Sequence, residues 1–308
     1  MSIPISGGTA RCITSTEQAG LKYSADLERL FGIEAKLIPY LSVSPYETLQ
    51  TNLYDYQKQI DVLLNRPNFV IMPVKVLTEK FANIEFLKNN SLKLKIGDTV
   101  SQKQMLEKLT KLGYKRSTMV SDIGEFSIRG DISDIYTLND LPVRIEFWGD
   151  EIVDIRYFNN ETQKSIEKIK EIAILPIYKF LLEGKEDILK SLQKDEDEIP
   201  DEGYFDGIEV YQNYFNNNLV SILDYFDDYI LVFDETSEIY SKYEFLDENF
   251  NKQLEENIKL GLIKTYDSAL ALNDKIIQAK NHFTYEEFLR KTSYFVKIGM
   301  NNFIDGMM

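Results

Sequence analysis

The sequence predicts an α/β protein in which a parallel-sheet domain is interrupted by an α+β insert, and three observations carry that expectation. Helical and strand patterns alternate through the first third of the chain. Around Gly97-Asp98 they give way to short strands separated by turn signals. After Pro176 a helical texture returns, with one further buried-strand pattern beyond it.

The first helix starts at a Ser15-x-x-Gln18 capping box, carries an apolar stripe of Tyr23, Leu27, Leu30 and Phe31, and closes on Gly32, which describes a surface helix. Short apolar segments at 35–38 and 69–72 flank a second helical stretch around 54–64. Strand, helix, strand in that order predicts parallel pairing. Within the insert a helix over 101–112 sets Met105, Leu109 and Leu112 on one face. Strands are expected at 118–120, 125–129, 131–136, 143–147 and 151–158, with turns at 122–124, 139–142 and 149–150. That is the spacing of hairpins in a meander. Farther on, like-charge repulsion keeps Asp195-Glu196-Asp197-Glu198 and Pro200-Asp201-Glu202 solvated as a loop. An apolar strand at 229–233 ends in Asp234-Glu235, and the chain from there on is expected to be helical, with no internal repeat.

Composition limits the function. With 308 residues, 44% of them hydrophobic, the chain is large enough for two domains with real cores. Nineteen Tyr and eighteen Phe against eight Pro exclude extended disorder. The net charge of −15 repels phosphate, so sequence-independent DNA binding is not the main task expected of it. One cysteine, Cys12, forms no internal disulfide, and no stretch has the layout of a signal peptide. A reducing cytoplasm is the expected location. The longest apolar runs are far shorter than a bilayer crossing, so no membrane partner is expected.

The chemistry-bearing residues are few. A single His282 and a single Cys12 exclude zinc sites of the Cys/His kind and histidine-based triads, so neither a catalytic residue nor a bound metal is expected. Gly7-Gly8-Thr9 lacks the Lys and Ser/Thr of a phosphate loop and reads as a flexible N-terminus. The run Tyr229 through Glu235 has the form of a Walker B strand, which delivers carboxylates at its end. An ordinary buried strand ending in solvated acids is an equal alternative to a degenerate ATPase relic with Asp234 and Glu235. Without a phosphate loop neither gives catalysis, and no cofactor is expected.

One face is a better candidate. In a strand, Val143, Ile145 and Phe147 point one way and Arg144, Glu146 and Trp148 the other. The second set puts the only Trp beside an Arg, the two residue types most enriched in binding hot spots. Arg129, on the polar parity with Ser127, extends this to a basic-aromatic patch. The alternative is that Trp148 packs under a neighbouring domain while the arginines form surface ion pairs. Residues 93–116 hold seven Lys or Arg against two acids. They form either a solvated face or a basic surface for an acidic protein or a nucleic acid.

Several strings, in order, resemble a known pattern. They are Gly113-Tyr114-Lys115-Arg116, the run Gly124 through Ile132, Arg144-Ile145-Glu146-Phe147-Trp148-Gly149-Asp150-Glu151-Ile152, Ile155-Arg156-Tyr157-Phe158 and Thr162-Gln163. Together they resemble the UvrB-homology module, found in the excision nuclease subunit UvrB and at the N-terminus of the transcription-repair coupling factors (Mfd). Tyr46-Glu47, Gln59 through Leu63 and Val70 through Leu77 are similar to the first half of that family's helicase-like domain. Gly207 through Tyr211, Leu223 through Phe226 and Phe233-Asp234-Glu235 are similar to its second half.

The lack of the Gly-Lys-Thr loop of UvrB favours the coupling factors. This resemblance implies a split, RecA-like but degenerate domain formed by 1–96 and 176–250, interrupted by an α+β docking domain at 97–175. Residues 251–308 follow as an unassigned helical segment. It also implies docking of UvrA at Arg129, Arg144 and Trp148, the last standing where the family commonly has Phe. ATP, magnesium, RNA polymerase and double-stranded DNA belong, on this reading, to other domains of the full-length translocase. Two other readings compete: a truncated UvrB-type ATPase core using Asp234 and Glu235, and a DNA-binding module using the lysines of 93–116.

Overall fold

The computed structural model describes residues 9–41, 52–139, 141–185, 187–189, 204, 208, 212–216, 219–226, 229–260 and 295–298. Gly7, Gly8, His282 and the acidic loop expected at 195–202 lie outside them. The elements are β1 (Thr9–Thr14), α1 (Glu17–Phe31), β2 (Lys36–Leu37), α2 (Leu53–Asn65), β3 (Phe69–Pro73), β4 (Phe81–Ala82), α3 (Ile84–Asn89), β5 (Leu92–Lys95), α4 (Gln102–Lys111) and β6 (Lys115–Arg116). There follow β7 (Glu125–Arg129), β8 (Ile132–Ile135), β9 (Val143–Trp148), β10 (Glu151–Phe158), β11 (Ser165–Ile169) and β12 (Glu171–Ile174). A short helix Gln212–Phe215, β13 (Leu219–Val220), β14 (Tyr229–Asp234), the long helix Thr236–Lys259 and β15 (Phe295–Ile298) complete the series. The fold is mixed α/β, with a five-stranded all-parallel sheet, a six-stranded mainly antiparallel sheet and two small two-stranded ones, and it divides into two compact units.

The first unit comprises residues 1–48, 58–81 and 219–308. Its five strands run in the order β15-β14-β1-β3-β2, every neighbour parallel. Strand β1 therefore lies at the centre, where Thr9 pairs with Tyr229 on one side and Ala10 with Phe69 on the other. The expectation of a flexible N-terminus fails for Thr9 for that reason. Helix α1 begins one residue later than its predicted capping box. The hydroxyl of Thr16, not Ser15, accepts from the Ala19 amide at 3.1 Å. Gly32 closes the helix in the left-handed conformation, as expected (φ 65°). Tyr23 and Leu27 pack on the core of Cys12, Ala35 and Ile71, whereas Leu30 and Phe31 stay exposed. The helix lies close to the sheet at Gly20, where a Cβ would sit 2.7 Å from Leu37 Cδ1. Strand β15 corrects the expectation of a wholly helical end, since Phe295 pairs with Leu231.

The second unit comprises residues 49–57 and 82–218. Its six strands run β11-β10-β9-β8-β7-β6, antiparallel except for the pair β6 and β7; β7 to β10 form the predicted meander, whereas β6 and β11 are additional to the expected strands. Met105 and Leu109 of α4 are buried, and Ser101 forms a full capping box with Gln104. Strand β5 pairs with β12, bringing the ends of this segment together. Two corrections apply. Residues 118–120 form no strand; instead Thr118 O accepts from Ser127 Oγ at 2.9 Å, so a side chain takes the place of a ladder bond. Residues 176–185 are not helical either. Tyr178 and Phe180, two apart, enter an aromatic stack in which Tyr178 meets Tyr204 at 4.4 Å and Phe180 meets Phe215 at 5.0 Å.

Candidate functional site

The candidate face is the outer surface of the six-stranded sheet. Period two sends Val143, Ile145 and Phe147 into the core, and all three are buried, as predicted. The pairing registers then align Ser127, Asp134, Arg144, Arg156 and Lys168 in one row across five strands. A second row holds Arg129, Ile132, Glu146 and Asp154. Ser127 lies on the predicted parity but is buried beneath residues 117–119.

Two of the predicted residues meet on one carboxylate. Asp134 Oδ1 accepts from Arg144 Nε at 2.6 Å, and Oδ2 accepts from Arg129 Nη2 at 2.6 Å and Arg144 Nη2 at 2.9 Å. Its side chain is 2% exposed, those of Arg144 and Arg129 13% and 48%. Arg144 Nη2 also donates to Gln163 Oε1 at 2.8 Å, and its guanidinium lies 4.5 Å from the centre of the Phe158 ring. The ion-pair alternative is thus correct for both arginines. Trp148 is 80% exposed in this chain, at the end of β9, where Gly149 turns the hairpin with φ 63°.

A second charged cluster continues the face. Arg156 donates to Glu146 and Asp154, and Lys168 Nζ donates to Asp154 Oδ1 at 2.8 Å. The bond from Arg156 holds Glu146 below its ordinary carboxylate range. Burial pushes Asp154 up, but Lys168 and Arg156 outweigh it and its pKa is lowered. Sequence reasoning missed Asp134, Phe158, Gln163 and Val153. The last is the extra residue of a bulge in β10 and is 45% exposed beside the pair Trp148 and Glu151. The cross-strand register could have found Asp134; nothing in the sequence marks the bulge.

The other predicted residues lie elsewhere. Asp234 ends β14, and Glu235 follows with a left-handed φ of 54°. Burial raises the Asp234 pKa, as do Glu235 and Glu238, while Lys22 opposes them. A raised carboxylate binds its proton more tightly in the folded state, so its ionisation opposes folding at neutral pH. This penalty disappears as pH falls through the raised value toward 3.8. Asp234→Asn is therefore expected to raise the neutral-pH melting temperature, with the gain vanishing near pH 4, read by thermal unfolding across pH. A gain independent of pH would show that ionisation is not the cause. Among the described residues no group of three or more His, Cys, Asp or Glu could hold a metal ion. The seven cations of 93–116 are all exposed and spread over β5, α4 and β6. No described helix is long and apolar enough to cross a membrane.

Residues 92–180 match the family model described as the UvrB interaction domain. The chain is 33% identical over 221 residues to the transcription-repair-coupling factor of Bacillus subtilis (strain 168), covering 61% of this chain and 19% of that protein. It is 36% identical over 131 residues to that of Staphylococcus haemolyticus, covering 42% of this chain and 11% of the relative. It is 27% identical over 184 residues to that of Myxococcus xanthus, covering 56% and 15%. The matched part thus spans less than a fifth of the length of each of these relatives.

Proposed function

We propose that this chain is the non-catalytic N-terminal part of a transcription-repair coupling factor, and that it recruits the repair protein UvrA through the outer face of the six-stranded sheet. The observation that carries this reading is Trp148, 80% exposed on the same face as Arg129 and Arg144 and within the segment matching the UvrB interaction domain. A large aromatic side chain left in water on the same sheet face as ion-paired guanidinium groups is what a hot spot looks like before its partner arrives. In this role the arginines meet acidic groups of UvrA, and Trp148 supplies the buried anchor.

The reading also takes residues 1–96 and 176–250 as halves of a degenerate RecA-like domain, with the docking domain at 97–175 inserted between them. The all-parallel sheet with Asp234 at the end of β14 supports the first part, and the pairing of β5 with β12 supports an insert whose ends meet. ATP, magnesium, RNA polymerase and double-stranded DNA are assigned to other domains of such a protein, working in the cytoplasm.

Calorimetric titration of the chain with UvrA from the same source tests the proposal. Saturable binding is expected, weakened about thirtyfold in Trp148→Ala. A folded wild type that gives no heat with UvrA overturns it. Of the competing readings, the ATPase core predicts nucleotide binding at Asp234 and Glu235. The DNA module predicts retention of DNA at low salt.

A further inference from the structure

The three predicted docking residues are not equivalent. Arg144 is largely covered, and three of its five N–H donors are used within the face, on Asp134 and Gln163. Its guanidinium is also stacked on Phe158, itself fully buried. Arg129 makes one hydrogen bond, to Asp134 Oδ2, and about half of its side chain stands in solvent. Trp148 is open. Asp134 sits between the two arginines with one oxygen, Oδ2, accepting from both.

We infer that Asp134 is the positioning residue of the docking face. Fixed by Arg144, it holds Arg129 by one edge of its guanidinium and leaves the other edge, with Trp148, to touch the partner. This rests on the docking proposal and deepens it. A guanidinium that already occupies its bound orientation loses less rotamer freedom on association than a free one. The chemistry required of the partner follows: a carboxylate that meets the outer edge of Arg129 in a planar, bidentate manner, close to an apolar socket for Trp148. Val153, exposed at the bulge two residues beyond Glu151, the register partner of Trp148, adds apolar surface toward that end of the sheet. Arg144 then acts through Asp134, a narrower role than the docking proposal gives it, in which both arginines meet UvrA.

The test is a double-mutant cycle on the full chain, with UvrA affinity measured by calorimetry and folding checked by melting temperature. Asp134→Asn keeps the size and removes the charge. It is expected to weaken UvrA binding about tenfold, an interaction energy of ordinary size for directly coupled side chains. In an Arg129→Ala background the same change should cost nothing further, because there is no longer a guanidinium to orient. A loss that adds in full to that of Arg129→Ala, or no loss at all, overturns the inference while leaving UvrA docking intact. Absence of binding by the folded wild type defeats the docking proposal itself. If Asp134→Asn does not fold, Arg129→Lys serves instead. It keeps the exposed charge but not the fork, and should lose a similar factor, whereas undiminished binding overturns the inference.

Discussion

Trp148→Ala is expected to weaken UvrA binding about thirtyfold while leaving the chain folded. The side chain is 80% exposed, so its truncation opens no cavity, and the melting temperature should stay within a degree or two of wild type. Affinity behaves differently. A solvent-exposed indole that becomes enclosed on binding is the kind of anchor whose truncation costs about 2 kcal/mol or more, roughly thirtyfold in Kd. Trp148→Phe should retain most of the affinity, since the contact needs an aromatic anchor more than an indole N–H. Calorimetry with circular dichroism on the same samples gives both numbers. Undiminished affinity in a folded Trp148→Ala would move the contact to another part of the surface.

Arg11→Ala should strongly destabilise the parallel-sheet unit. Arg11 lies in the central strand β1 at 2% exposure. Its Nη1 donates to the carbonyl oxygens of Ala10 at 2.9 Å, Pro67 at 3.2 Å and Asn68 at 2.9 Å. The guanidinium lies 3.9 Å from the centre of the Phe226 ring and 5.8 Å from that of Tyr229. Burial lowers its pKa to about 10, which leaves it charged at neutral pH. Removing it takes a donor from the carbonyl of Pro67, whereas that of Asn68 keeps the Ala10 amide, and it opens a space under the rings. The two effects together cost about 3 kcal/mol or more, a fall of roughly 6–12 °C in melting temperature for a domain of this size. Arg11→Met fills the space without supplying donors, so it should fall between Ala and wild type. A melting temperature unchanged in Arg11→Ala would mean that the cage contributes nothing net.

Much of this architecture is legible in the sequence, because it rests on short-range patterns. Alternation through Val143 to Trp148 gave the buried and exposed faces of β9, and the turn at Gly149-Asp150 gave its hairpin. Failures occurred where long-range contacts decide. Nothing local marks Thr9–Thr14 as the central strand, because both of its neighbours are distant in the chain. Residues 118–120 have strand-like composition, but the hydroxyl of Ser127 holds them in another way. At the site, the exposure of Trp148 was legible and the sharing of Asp134 was not. The first follows from position along one strand, the second from the register of three.

The position of β1 has a consequence for the order in which a nascent chain can mature. Its amides and carbonyls find one partner strand at Phe69–Pro73, but the other only when Tyr229–Asp234 has been synthesised. The meander needs no such wait, since β7 through β10 each pair with the next strand in the chain, and contacts of low sequence separation close first. A growing polypeptide can therefore finish the antiparallel sheet while the parallel one still has an open flank at β1. During that interval the flank of β1 at Cys12 and Ile13, buried in the finished sheet, is an open apolar edge on which mispairing can begin.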